Sequence, residues 1–132
     1  EAVSNNIPGV IRAVEAATLI DPTNAGLYFQ LGLIKYQIND NKGSVQALEQ
    51  AVTLVPDYAN AKYFLGLAYY RLRRWDEAIA EFEGIKKTNA DNKEVNLILL
   101  NLKARKDPFT GAQPPVDSKP EKRKSPPIEE NQ

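Results

Sequence analysis

The chain has 132 residues, with 17 Lys and Arg balanced by 17 Asp and Glu, 42% hydrophobic and 26% charged residues, the make-up of an ordinary globular domain. Zero formal charge offers no electrostatic footing for a nucleic acid or an anionic membrane surface, and no apolar run nears the ~18 residues that would span a bilayer. With neither cysteine nor histidine, the chain lacks disulfides, thiolates, the usual general base and the commonest metal ligand; this excludes most hydrolytic and metal chemistry, and no cofactor or metal is expected.

Ala, Leu, Ile, Tyr and Glu recur at helical spacing up to residue 106, where prolines occur only at 8, 22 and 56. The pattern predicts a first helix over residues 8–20, with Pro8 suited to a first turn. A second is predicted over 24–38, then a third over 42–54 after the Asn39-Asp40-Asn41 turn. The fourth, 57–72, follows Pro56, and the fifth, 75–87, follows Leu72-Arg73-Arg74. The sixth, 91–105, is stopped by Asp107-Pro108. Short connections make neighbouring helices antiparallel. Six of the nine prolines fall in residues 107–132, where the apolar residues are Phe109, Ala112, Val116 and Ile128. Such a segment cannot bury a core and is predicted to be an extended, polyproline-type tail. The division is therefore a helical domain, 1–106, and a proline-rich tail, 107–132.

A period runs through the helical part. Pro22 and Pro56 are 34 residues apart, as are Gly32 and Gly66, and self-similarity at that length marks a solenoid. Leu65-Gly66, Tyr69, Ala78 and Phe82 form one spaced set; Tyr28, Leu31-Gly32, Leu48, Ala51 and Pro56 form another. In these positions the chain resembles the tetratricopeptide repeat family, whose unit is a helix-turn-helix of 34 residues. The resemblance covers repeats at 25–58 and 59–92, a half-repeat at 8–22 carrying Val14, Ala17 and Pro22, and a terminal helix at 93–105. Departures are Lys62 and Lys35 at aromatic positions, Ile85 for Ala, and Ala90 for Pro. The resemblance implies an all-α fold, a right-handed α-solenoid of antiparallel helix pairs. It also implies that Gly32 and Gly66 lie where the helices of a unit cross, with Ser44 and Ala78 as small partners and Phe82, Leu48, Tyr69 and Leu65 filling the space around the crossing.

Few residues suggest chemistry. Asp76-Glu77, Glu81 with Glu83, and Glu129-Glu130 are carboxylate pairs, read as solvated faces because nothing in the sequence desolvates one member of a pair selectively. The basic run KPEKRKS at 119–125 is diluted by Glu121 and reads as solvated tail. There is no Asn-x-Ser/Thr acceptor; Thr110, Ser118 and Ser125 lie near prolines and could carry O-linked sugar.

The family's groove is lined by the first helix of each unit, which here implies Phe29, Leu33, Tyr36, Tyr63, Leu67, Tyr70 and Arg71, with Leu97 and Asn101 from the last helix. This lining is more apolar and aromatic than two repeats need for a core, and exposed patches of that kind mark a partner. Some relatives grip an acidic C-terminal peptide with Lys, Asn and Arg; Phe29, Leu33 and Phe64 stand at matching positions, so that clamp is absent. The function expected is non-catalytic protein–protein interaction. Two forms stay open: a structural subunit that self-assembles head to tail into a helical filament, and an adaptor that binds a foreign peptide. For the first, Val10, Val14 and Ala17 on one half-repeat and Leu97, Leu100 and Ala104 on the other are the expected interface, since a solenoid end without a polar cap leaves an apolar face uncovered. Pro114, Pro115, Pro126 and Pro127 are expected to dock on Tyr36, Tyr63 and Tyr70, the tail reaching a neighbouring subunit. A loose similarity of the tail to the C-termini of large bacterial membrane proteins, together with the absence of an initiator Met, favours an extracellular or cell-surface fragment; a cytoplasmic location is the alternative.

Overall fold

A computed structural model of the chain describes residues 6–112. These described residues hold six helices: α1 (Ile7–Ile20), α2 (Ala25–Gln37), α3 (Asn41–Leu54), α4 (Ala59–Arg71), α5 (Trp75–Thr88) and α6 (Lys93–Lys103). Each predicted helix is present, with ends displaced by at most two residues, and no strand occurs among the described residues. Every helix packs on the one before it and the one after, and α2 also touches α4. The chain is thus an α-solenoid of two pairs, α2/α3 and α4/α5, flanked by the single helices α1 and α6.

The local sequence accounts for the helix ends. The Asn24 side chain accepts a bond from Leu27 N–H at 3.3 Å, Asp40 from Gly43 N–H at 3.0 Å and Asn92 from Val95 N–H at 3.0 Å, each satisfying a donor that its helix leaves unpaired. In α5, Asp76 and Glu77 sit in the first turn and Lys86 and Lys87 in the last, both favourable to the helix dipole. The first helix of each unit ends the same way. Asn39, Arg73 and Arg105 take left-handed φ values of 66°, 64° and 61°. The next residue then bonds back across the turn: Asp40 N–H to Lys35 at 2.8 Å, Arg74 N–H to Tyr69 at 2.9 Å, Lys106 N–H to Asn101 at 2.9 Å. This is the Schellman closure, made with residues other than glycine. The first two such turns feed α3 and α5. The third feeds no described helix.

The two glycines of the period mark the tight crossings. A Cβ placed on Gly32 would lie 2.5 Å from Leu48 Cγ, and one on Gly66 would lie 2.4 Å from Phe82 Cε2. The side chain filling the Gly66 crossing is therefore Phe82, one turn beyond Ala78. Ala78 is itself fully buried, and the small Ser44 lets its hydroxyl donate to the Gly32 carbonyl at 2.8 Å. The main core gathers Leu48, Leu65, Phe82, Ile85, Ile98 and Leu102. Burying each of these removes enough apolar surface to contribute about 1.5–3 kcal/mol. A smaller cluster, Val14, Leu31 and Ala47, fastens α1 to α2 and α3.

A groove lined by the first helices

The 34-residue register stacks side chains of α2, α4 and α6 on one face: Phe29, Tyr63 and Leu97 in one row, Leu33, Leu67 and Asn101 in the next, Tyr36, Tyr70 and Ala104 in the third. Contacts between the rows follow. Phe64 lies 6.3 Å from Phe29, 5.4 Å from Tyr36 and 5.3 Å from Tyr63 between ring centroids, and Tyr58 stacks on Phe29 at 5.2 Å. Such tilted and edge-on arrangements add favourable quadrupole interaction to burial. The Arg71 guanidinium lies 3.7 Å over the Tyr36 ring and donates to Tyr36 O, Asn39 Oδ1 and Asn41 Oδ1, tying α4 to the end of α2. Burial pushes the Tyr36 hydroxyl above its ordinary pKa, and Arg71 partly offsets this.

Phe29, Leu33, Tyr36 and Tyr70 are half-buried and Arg71 is exposed. Tyr63 and Leu67 are 6% and 5% exposed, so they form the floor and not an open contact surface. At its far end the groove holds part of its own chain. Asp107, Pro108 and Phe109 line a hollow of about 220 Å³ together with Tyr36, Leu67, Tyr70 and Arg71. Sequence reasoning missed both this return of the chain and the part played by Tyr58. A signal for the first existed: Asn101 interrupts the apolar run of α6 at the position held by Leu33 and Leu67, and a buried amide requires partners.

Of the residues expected at an assembly interface, Val10 and Ala17 are half-buried, and Val14 is buried within the chain against Leu31 and Ala47. Leu97 is half-buried, Ala104 exposed, and Leu100 is 66% exposed. Leu19 and Ile20, which the sequence did not single out, are more exposed still, at 83% and 84%. Pro114, Pro115, Pro126 and Pro127 lie outside the described residues.

The carboxylates divide more than the sequence suggested. Burial raises the pKa of Glu81, whereas Lys103 holds that of Glu83 down. Residues i and i+2 on a helix do not face each other, so the two do not share a site. Asp76 pairs with Arg105 and Glu77 with Arg74. Among the described residues, no group of three or more acidic side chains could hold a metal ion, and no helix is long and apolar enough to cross a membrane.

A solenoid of antiparallel helix pairs with a ring-lined groove defines a class of protein-interaction scaffold. Residues 29–93 match the family profile of the tetratricopeptide repeat. The repeats over residues 29–93 belong to the tetratricopeptide repeat family. The fold of the chain is similar to a crystal structure of MamA (TM-score 0.73, 22% identity, covering 79% of this chain and 61% of that one). A second MamA structure gives a TM-score of 0.66 at 26% identity, covering 70% and 51%. The first tetratricopeptide domain of Spaghetti (RPAP3), solved with an HSP90 peptide, gives 0.70 at 19% identity, covering 77% and 81%. The chain spans about three-fifths of the length of the first of these MamA chains. Among curated proteins, none matches it in sequence.

Proposed function

We propose that this scaffold associates with copies of itself, end to end, as a structural subunit. The observation that carries the proposal is the position of the most exposed large apolar side chains. Leu19 and Ile20 are 83% and 84% exposed on α1, and Leu100 is 66% exposed on α6, the two ends of the solenoid. Uncovered apolar surface at both ends favours a heterologous contact, and such a contact propagates into a filament unless its rotation closes. Leu100 stands in register with Gly32 and Gly66, so a second helix cannot cross α6 as closely as α3 crosses α2. The proposed contact is therefore a looser one, with Leu100 of one copy set against Leu19 and Ile20 of the next. Leu97 and Ala104 flank Leu100 on α6.

In the same assembly, the prolines at 114, 115, 126 and 127 would dock on a neighbour's groove. Phe29 and Leu33 are the natural platform, because Tyr63 is buried and Tyr36 and Tyr70 adjoin Asp107–Phe109. The experiment is a sedimentation series on the whole chain, repeated with Leu19→Lys and Leu100→Lys together. Large species lost on substitution, with helical circular dichroism retained, support the contact. A wild-type protein that stays monomeric at high concentration, or a variant that assembles unchanged, overturns it.

The second reading is an adaptor for a foreign peptide, favoured by the half-buried rings of Phe29, Tyr36 and Phe64 and by the fold likeness to a domain solved with a peptide. A monomeric wild-type protein in the same series would favour it.

A further inference from the structure

The turn at Arg105 repeats those at Asn39 and Arg73, but Asp107–Thr110 follows it in place of a helix. These residues close on themselves. Phe109 N–H donates to Asp107 Oδ1 at 2.8 Å, and Thr110 gives both its N–H (3.0 Å) and its Oγ1–H (2.7 Å) to the Asp107 carbonyl. They are also held from outside. The Asn101 amide donates to the carbonyls of Pro108 and Thr110, each at 2.9 Å, and the Tyr70 hydroxyl reaches Asp107 Oδ2 at 3.4 Å. Pro108 is among the fully buried side chains. Asn101 is 6% exposed and stands where the two preceding units have leucine, so its amide is present for these two carbonyls and not for packing.

We propose that residues 107–110 form a built-in strap across the far end of the groove, an autoinhibitory contact. While the strap is seated, Tyr36, Tyr70 and Arg71 are shared with the chain's own Asp-Pro-Phe. When it leaves, the same end accepts a turn-forming acidic–proline–aromatic segment from another chain. The resident segment defines that chemistry: two backbone carbonyls for Asn101, a carboxylate near the Tyr70 hydroxyl, and a proline for the buried slot. A tethered ligand at millimolar effective concentration excludes a free peptide of equal intrinsic affinity. Leu19, Ile20 and Leu100 take no part, so the strap stands or falls separately from end-to-end association.

The test uses the full chain and an acetylated hexapeptide of its own residues 106–111, followed by NMR. In a Pro108→Ser, Phe109→Ser variant the peptide should shift the Asn101 side-chain amide and the Tyr70 region in the millimolar range. In the wild-type chain the fractional shift should be roughly tenfold smaller at the same concentration. Adding Asn101→Leu to the variant should abolish the shift in the Tyr70 region. Equal shifts in the two chains, or none in the variant, overturn the proposal. Should the variant lose its helical signal, amide exchange on the wild-type chain decides. The Thr110 amide should be slowed by at least about tenfold over an open chain; exchange at the open-chain rate overturns the strap.

Discussion

Gly66 and Gly84 are both interior helical glycines, and alanine at the two positions should move stability in opposite directions. Helix propensity alone favours alanine by about 1 kcal/mol at either site. At Gly66 the added methyl carbon would lie 2.4 Å from Phe82 Cε2, 2.8 Å from Cδ2 and 3.1 Å from Cζ. The ring cannot retreat, because Phe82 is fully buried and lies 5.6 Å from Tyr63, edge-on. Forcing one methyl group into a filled crossing costs about 1–3 kcal/mol, and this close an approach belongs at the upper end. The net loss is about 1–2 kcal/mol. At Gly84 the nearest atom is Lys62 Nζ at 3.3 Å, the tip of a flexible side chain that can swing away. Gly84→Ala therefore keeps most of its propensity gain. For a domain of this size 1 kcal/mol moves Tm by about 4–8 °C, so Gly66→Ala should lower Tm by roughly 5–15 °C and Gly84→Ala should raise it by a few degrees. Thermal unfolding followed by circular dichroism measures both. A Gly66→Ala chain as stable as Gly84→Ala would refute the crossing described here.

Three further outcomes are expected. Ser44→Ala removes the buried hydroxyl that bonds the Gly32 carbonyl and should cost about 1 kcal/mol in urea unfolding with an unchanged m-value. Asn92→Ala removes the side-chain cap of α6 and should cost about 1 kcal/mol, with the loss of amide-exchange protection concentrated at Val95. Glu81 is disfavoured as a carboxylate by burial, and by Glu49, against a partial gain from Lys62. Its folded pKa lies above its unfolded value, so its ionised form destabilises the fold at neutral pH, and that penalty disappears as the pH falls below the usual glutamate range. Glu81→Gln should therefore raise Tm at pH 7 and have progressively less effect on acidification; a gain that persists unchanged at pH 3 would contradict this origin.

Much of the architecture is local and was legible in the residues. Prolines at 8, 22 and 56, the turns at 39–41 and 72–74, Asp107-Pro108 and apolar spacing placed six helices, because helix ends depend on a few adjacent groups. The 34-residue recurrence marked a solenoid, and the resemblance to the tetratricopeptide repeat then implied the pairing and placed Gly32 and Gly66 at its crossings. Contacts across the solenoid depend on directions that spacing does not encode. At the Gly66 crossing the atoms nearest to a Cβ are those of the Phe82 ring, because side chains in a helix point back along its axis toward the preceding turn. Tyr63 and Leu67 share the register of open groove residues yet are buried, because α4 has packed helices on both sides. Asp107-Pro108 reads as a stop in the sequence. Only the folded chain shows that the Arg105 turn brings it back to Asn101 and Tyr70, because the buried Asn101 amide and the carbonyls of Pro108 and Thr110 satisfy each other there.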